Sequence, residues 1–190
     1  MSPPLYAVAA DWLTQCVVEI RLDGSAGTGF TWAHDVVVTN AHVARVARLE
    51  VRLPDGQVRA ARLRVSDRSR DLAILDVPGL GLPAVQRRDP VLLRPGEVLF
   101  AIGHPFGVRH ALSSGVLHSV GPLPDGYPVP PQVRRRTWVQ ADLRLAPGNS
   151  GGPLADWEGR VVGINTMIAG GLALAVPVTE VEALVRRQAA

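Results

Sequence analysis

The chain has 190 residues, 47% of them hydrophobic and 19% charged, so it can bury enough apolar surface to exclude a disordered chain. This length allows one folded unit with a single large core, or with two small cores in contact. The net charge is +3 and all 20 basic residues are Arg, but their only run of three is 134–136, which argues against a nucleic-acid partner.

The N-terminal segment, residues 1–13, lacks the basic start of a secretory signal and contains Pro3, Pro4 and Asp11. No apolar run in the sequence approaches the length that spans a bilayer. We therefore expect a cytoplasmic location and no membrane span. The single cysteine, Cys16, excludes internal disulfide bonds, and its apolar neighbours indicate a buried structural thiol.

Twelve short apolar runs, separated by Gly, Pro, Asp and Asn, predict an all-β protein. They lie at 16–22, 29–32, 36–39, 49–52, 57–65, 72–77, 98–103, 112–120, 137–140, 153–155, 161–167 and 172–176. Twelve strands fit two six-stranded antiparallel barrels within a single unit, at about 14–80 and about 95–177. The Pro-rich and Gly-rich stretch 77–95 divides them. The pair Asp55-Gly56 predicts a hairpin turn in the first barrel.

Helical pattern is confined to the two ends of the chain, at 5–13 and 179–188. The second helix forms the C-terminal element 178–190, and Thr179 is expected to cap its first turn. The stretch 121–132 contains too many prolines for a strand and predicts a surface loop. We interpret the arginine run that follows it as a solvated loop or strand edge.

The sequence Gly-Asn-Ser-Gly-Gly-Pro-Leu at 148–154 is the strongest single indication of chemistry. Acyl transfer needs a nucleophilic hydroxyl on a tight turn, with backbone amides directed at the carbonyl oxygen that becomes an anion. Glycines on both sides of Ser150 permit such a turn. The candidate donors of this oxyanion hole are the amides of Gly148, Asn149 and Ser150. Taken alone, the motif could equally be a glycine-rich hairpin.

Two further motifs decide between these interpretations. His42 follows the apolar run 36–38, within Thr-Asn-Ala-His-Val, and Asp71 directly precedes the apolar run 72–75. Both residues therefore stand at strand ends, where side chains can face a cleft. The order His, Asp, Ser is that of chymotrypsin-type peptidases and differs from the order in subtilisin. Together the motifs predict Ser150 as nucleophile, His42 as general base and Asp71 as its orienting carboxylate.

These motifs and several others resemble the protease domain of the HtrA/Deg family, a branch of the trypsin-like serine peptidases. The other matching segments are Gly-Thr-Gly-Phe (27–30), Ala-Ile-Gly-His-Pro-Phe-Gly (101–107), Ser-Gly-Val (114–116), Gln-Ala-Asp (140–142) and Val-Gly-Ile-Asn-Thr (162–166). The likeness covers about 17–185 and implies a chymotrypsin-type fold and a serine endopeptidase. The chain as it stands has no PDZ-like segment after the second barrel, so we expect none.

The resemblance also implies a specificity pocket and an assembly. Its pocket-lining positions are Leu145, Ile168 and Leu172, all aliphatic, which predicts cleavage after Val, Ala, Leu or similar residues in unfolded or extended protein segments. N-terminal aromatic residues tie protomers together in the family, and a homotrimer is therefore expected through Tyr6, Trp12 and Phe106. We expect protein or peptide substrates as partners, with no nucleic acid, cofactor or metal.

Two other functions remain open on the residues alone. A binding or chaperone-like module could use the same fold with a silent active site, because a fold does not guarantee a function. An Arg-driven nucleic-acid binder would show affinity that falls steeply with salt, but no aromatic residue interleaves with 134–136.

Overall fold

The computed structural model describes residues 5–22 and 25–189, and its strands form two closed antiparallel barrels. The strands of the first barrel are β1 (Val17–Leu22), β2 (Ser25–Ala33), β3 (Val36–Thr39), β4 (Arg48–Arg52), β5 (Val58–Asp67) and β6 (Leu72–Asp76). They neighbour one another in the order β1-β2-β3-β6-β5-β4. Gly56, in the predicted hairpin turn between β4 and β5, has a φ of 91°, which glycine adopts without strain.

The second barrel repeats this arrangement. Its strands are β7 (Val98–Gly103), β8 (Ala111–Gly121), β9 (Trp138–Asp142), β10 (Pro153–Asp156), β11 (Val161–Ala169) and β12 (Leu172–Pro177). They neighbour one another in the order β10-β11-β12-β9-β8-β7. The predicted fold class, two six-stranded antiparallel barrels of chymotrypsin type, is confirmed.

The start of β2 was misjudged from the sequence pattern. The prediction began this strand at Gly29, but it pairs with β1 from Ser25 onward, and Gly27 lies opposite Ile20. Glycines interrupt the apolar pattern before Gly29, so the sequence pattern did not predict a strand there. A Cβ on Gly29 would lie 2.8 Å from a side-chain carbon of Val37, which shows that glycine permits the close approach of neighbouring chains here.

In the described residues three α-helices accompany the barrels, α1 (Leu5–Thr14), α2 (Pro131–Arg134) and α3 (Val178–Ala189), with two short 3-10 helices at Pro90–Leu92 and Pro105–Gly107. Because α3 begins at Val178, Thr179 lies inside the first turn and does not cap it as predicted. The short helix α2 was also missed, since it starts within the proline-rich stretch that was read as a loop. Proline is tolerated in the first turn of a helix, where its missing N–H is not needed.

Three hydrophobic clusters hold the protein together. Each barrel has an interior cluster of its own, and a third cluster draws buried residues from both barrels and from α1 and α3. This inter-barrel cluster includes Phe30, Phe100 and Trp138, which are at most 1% exposed. It packs the two barrels against each other. In the described part of the chain, no helix is long and apolar enough to cross a membrane.

Candidate active site

His42 and Asp71 stand at adjoining strand ends of the first barrel. Thr39 at the end of β3 pairs with Ala73 of β6, so the residues just outside these strands come together. His42 Nδ1 lies 2.7 Å from Asp71 Oδ2, and the His42 amide donates to Asp71 Oδ1 at 2.9 Å. These contacts direct Nδ1–H at the carboxylate and leave Nε2 to accept a proton.

Asp71 is itself held by Asn40, which the sequence pattern did not single out. Asp71 has a left-handed backbone, with a φ of 56°, which Asp tolerates better than most residues. The buried Asn40 side chain donates through Nδ2 to the Asp71 carbonyl at 2.9 Å. The same amide group contacts Thr166 Oγ1, on β11, at 3.1 Å. The second barrel therefore helps to position the carboxylate of the first.

Arg136 provides another link between the barrels, and its interpretation as a solvated residue is wrong. Its Nη2 donates to the Arg70 carbonyl at 2.7 Å, directly before Asp71. Its guanidinium carbon lies 4.6 Å from the ring centroid of Trp138, at cation–π distance. Burial lowers the pKa of the Arg136 guanidinium, while nearby Asp71 acts in the opposite direction. Sequence position could not reveal this role, because Arg70 is distant along the chain.

Ser150 lies between β9 and β10, on the turn that the glycine motif predicted. Its Oγ lies 3.5 Å from the carbonyl oxygen of Thr166, to which it donates. Thr166 therefore contacts Ser150 directly and reaches the His42–Asp71 pair through Asn40. Among the described residues, no hydrogen bond joins Ser150 to His42. Such catalytic bonds are often long before substrate binds and tighten in the complex.

The three candidate oxyanion donors differ in what they already bind. The Asn149 amide donates to the Ala146 carbonyl at 3.0 Å, so it is engaged within its own turn. Within residues 5–22 and 25–189, the amides of Gly148 and Ser150 donate no hydrogen bond to another protein group. Of the three candidate donors, the amides of Gly148 and Ser150 are therefore the ones without a protein acceptor among the described residues, whereas the Asn149 amide already has one. Neighbour contacts of this kind are not visible in the sequence.

A cavity of about 340 Å³ opens beside the nucleophile. Its lining comprises Leu145, Ala146, Pro147, Asn149, Ser150, Thr166, Met167 and Ile168. Two predicted pocket residues, Leu145 and Ile168, therefore line it. Leu172 does not, because it lies past the hairpin turn, opposite Ala169 at the start of β12. Met167 also lines the cavity, but it was not among the pocket positions that the family resemblance implied.

His104 lies next to the nucleophile loop and is 1% exposed. Its ring makes an edge-to-face contact with His110, with 4.9 Å between the centroids. Burial, reinforced by His110, Arg109 and Arg52, lowers the pKa of His104 to about 3. His104 is therefore neutral at physiological pH. The described residues hold no group of three His, Cys, Asp or Glu side chains arranged for a metal ion.

Comparison with known proteins identifies related sequences and structures. The family model described as "Trypsin-like peptidase domain" matches residues 27–164. Two relatives carry the name "Probable periplasmic serine endoprotease DegP-like": the one from Marinomonas sp. is 40% identical over 147 residues, and one from Pseudomonas putida is 40% identical over 163 residues. These alignments cover 76% and 81% of this chain.

A solved structure, "HtrA-type protease AlgW with tripeptide", superimposes with a TM-score of 0.86 and 30% sequence identity. The superposition covers 96% of this chain and 63% of that one. The chain spans 30% of the length of the Marinomonas relative and 33% of that of the Pseudomonas relative.

Proposed function

The chain belongs to the trypsin-like peptidase family, and we propose that it is a serine endopeptidase of the HtrA/DegP type that acts through His42, Asp71 and Ser150. The observation that carries this proposal is the pair of hydrogen bonds between His42 and Asp71, together with a serine whose loop has two amides that meet no protein acceptor within residues 5–22 and 25–189. An imidazole oriented in this way can act as a general base toward a nearby hydroxyl.

The first half of the reaction forms an acyl-enzyme. Ser150 Oγ attacks the scissile carbonyl while His42 Nε2 takes the hydroxyl proton, and Asp71 stabilises the imidazolium that results. The carbonyl oxygen gains negative charge and accepts hydrogen bonds from the Gly148 and Ser150 amides. The C–N bond then breaks, and His42 gives its proton to the leaving amine.

The second half releases the acyl group. A water molecule loses a proton to His42 as its oxygen attacks the ester carbonyl, and the same two amides stabilise the second tetrahedral intermediate. The C–O bond to Ser150 breaks, and His42 returns the proton to Ser150 Oγ. The enzyme is regenerated with no net change in charge and with no cofactor.

The substrate preference is proposed from the cavity beside Ser150. Leu145, Met167 and Ile168 give it apolar walls of medium size. Arg144, the neighbouring charged residue, is exposed and would repel a basic substrate side chain. We therefore expect cleavage after small to medium aliphatic residues in unfolded or extended segments, with no strict sequence requirement because each buried methylene adds little discrimination.

A serine-directed fluorophosphonate separates the peptidase from a silent binding module on the same fold. We expect the wild-type protein to be labelled and to hydrolyse an unfolded protein substrate. Ser150→Ala should lose both properties and keep its thermal stability, since the Ser150 hydroxyl makes one bond of 3.5 Å. Ser114→Ala, at an exposed serine of β8, is the matched control and should be labelled normally. Labelling or hydrolysis that persists in Ser150→Ala would contradict the proposed nucleophile.

A homotrimer is proposed from the family resemblance. The Phe106 side chain is 79% exposed, whereas Trp12 is half-buried against the inter-barrel cluster and the Tyr6 side chain lies outside the described residues. Phe106→Ser should then reduce the mass measured by light scattering from trimer to monomer. Val91→Ser, at a residue that is 73% exposed, should leave the mass unchanged. A wild-type monomer would refute the proposal.

The location of the protein also stays a prediction. The names of the relatives describe those proteins as periplasmic, whereas the N-terminal sequence of this chain led us to expect the cytoplasm. Immunodetection in separated periplasmic and cytoplasmic fractions decides between the two compartments.

A further inference from the structure

Thr28 of the first barrel contacts the nucleophile loop through both its backbone and its side chain. The residue is completely buried on β2. Its amide donates to the Ser150 carbonyl at 3.0 Å, and its hydroxyl donates to the Gly148 carbonyl at 2.6 Å. One residue thus holds the carbonyl groups of both residues whose amides are the candidate oxyanion donors.

The hydrogen-bonding capacity of the Thr28 hydroxyl is fully used. A hydroxyl has one hydrogen to donate and two lone pairs to accept. The short contact to Gly148 takes the hydrogen, and the His104 amide donates to one lone pair at 3.1 Å. His104 Nδ1 lies 3.2 Å away and can donate to the other, which selects the tautomer with hydrogen on Nδ1. This hydroxyl is therefore fixed in one orientation.

The peptide between Gly148 and Asn149 is the middle one of three that shape the oxyanion loop. The Pro147 carbonyl accepts from the Phe106 amide at 3.0 Å, and the Asn149 carbonyl accepts from the Gly152 amide at 3.0 Å. Backbone groups thus fix the peptides on both sides. The N–H of the middle peptide, that of Asn149, donates to the Ala146 carbonyl at 3.0 Å. The carbonyl of the middle peptide is held by a side-chain hydroxyl, with the His104 amide farther away at 3.4 Å.

This middle peptide joins the two residues whose amides are the candidate donors. In a trans peptide the C=O and N–H groups point in opposite directions, so fixing one fixes the other. Rotating the Gly148–Asn149 peptide would change the ψ angle of Gly148 and the φ angle of Asn149, and would break the contacts of this peptide with Thr28 and with the Ala146 carbonyl. Gly148 has a φ of 105° and no side chain to resist that rotation.

We propose that Thr28 is a positioning residue for the oxyanion hole. Its hydroxyl, together with the hydrogen bond from Asn149 to Ala146, holds the Gly148–Asn149 peptide and so keeps Gly148 and Ser150 placed for their amides to converge on the reacting carbonyl. This inference rests on the proposed peptidase function. Thr28 does not touch the reacting atoms, because its hydroxyl is committed to the Gly148 carbonyl and to His104. Its effect is on the orientation of groups that do.

The test compares variants at two buried threonines of the same strand. Thr28→Val removes the hydroxyl and keeps the shape of the side chain, whereas Thr28→Ser keeps the hydroxyl. Thr31→Val is the matched control, because Thr31 is equally buried and its hydroxyl has no partner within the described residues. We expect Thr28→Val to lower kcat by about 10-fold to 100-fold, less than the loss of a whole oxyanion donor, with little change in KM. Thr28→Ser and Thr31→Val should stay within about threefold of the wild type in kcat.

A second measurement distinguishes positioning from general damage to the fold. A peptide boronate forms a tetrahedral adduct on serine with an oxygen in the oxyanion hole, whereas the same peptide without boron binds only as a ground-state ligand. We expect Thr28→Val to lose affinity for the boronate by the same factor as kcat, and to keep its affinity for the plain peptide. Thr28→Cys carries a weaker donor and should show a smaller loss of both kcat and boronate affinity. This variant replaces Thr28→Val in the test if Thr28→Val does not fold.

The possible results separate this inference from the proposed function. If wild-type protein hydrolyses the substrate and Thr28→Val matches its kcat, Thr28 does not position the hole. A fall in kcat with unchanged boronate affinity would likewise overturn the inference. If the wild type neither hydrolyses substrate nor reacts with the fluorophosphonate, the peptidase function fails and this inference fails with it.

Discussion

Acid should destabilise this protein through His104, which the fold keeps buried and neutral. Its ring is 1% exposed, and burial lowers its pKa from an ordinary value of 6.5 to about 3. In the unfolded chain the ring regains its ordinary pKa, so between these two values the unfolded state binds more protons than the folded state. The stability that comes from keeping His104 neutral is therefore complete above 6.5 and is lost as the pH falls toward 3.

The size of this effect follows from proton linkage. Well below the unfolded pKa, each pH unit lowers the free energy of unfolding by about 1.4 kcal/mol, until the folded pKa is reached. Between about pH 8 and about pH 5, the His104 contribution amounts to roughly 2 kcal/mol. His110 adds to the trend in the same direction, because burial lowers the pKa of its ring as well.

Urea unfolding at several pH values measures the effect. His104→Asn is the comparison variant, since its side-chain amide can donate to Thr28 in place of Nδ1 but does not titrate. The difference in unfolding free energy between wild type and variant should change by roughly 2 kcal/mol from about pH 8 to about pH 5, in the direction that favours the variant in acid. Titratable groups that do not interact with His104 cancel in this difference. A difference that stays constant with pH would refute the reasoning.

Three further changes test how the site is held. Arg136→Met should lower kcat by about fivefold or more while KM changes little, because the Arg70 carbonyl loses its partner next to Asp71; Arg135→Met, at an exposed neighbour, should have no effect. Ile168→Phe should shift cleavage in a peptide library toward smaller residues before the scissile bond, whereas Leu172→Phe, at a residue outside the cavity, should not. The opposite result would show that Leu172 lines the specificity pocket. Gly148→Ala should lower kcat by roughly 100-fold, since the φ of 105° at this position is strained for alanine and a Cβ would overlap the His104 carbonyl. Near-normal activity of this variant would contradict the assigned loop geometry.

The sequence alone determined the parts of this protein that depend on local pattern. Alternating and continuous apolar runs located all twelve strands, because the side chains of consecutive strand residues point to opposite faces and each face has its own polarity. The candidate catalytic residues His42, Asp71 and Ser150 could be named because each stands beside an apolar run or between glycines. Both kinds of signal need only the few residues around each position.

Tertiary structure decided what depends on contacts between distant segments. Thr28 and Gly148 are separated by 120 positions, so no local pattern could reveal that the hydroxyl of one holds the carbonyl of the other. The same reason applies to Arg136. The sequence predicted a solvated residue there, but in the structure its guanidinium donates to the Arg70 carbonyl. Asn149 is a different case, because its amide bonds to the Ala146 carbonyl within its own turn, and the sequence does not show which conformation that turn adopts. Hydrogen bonds are directional and short, so the availability of a donor is fixed only once both barrels have packed together.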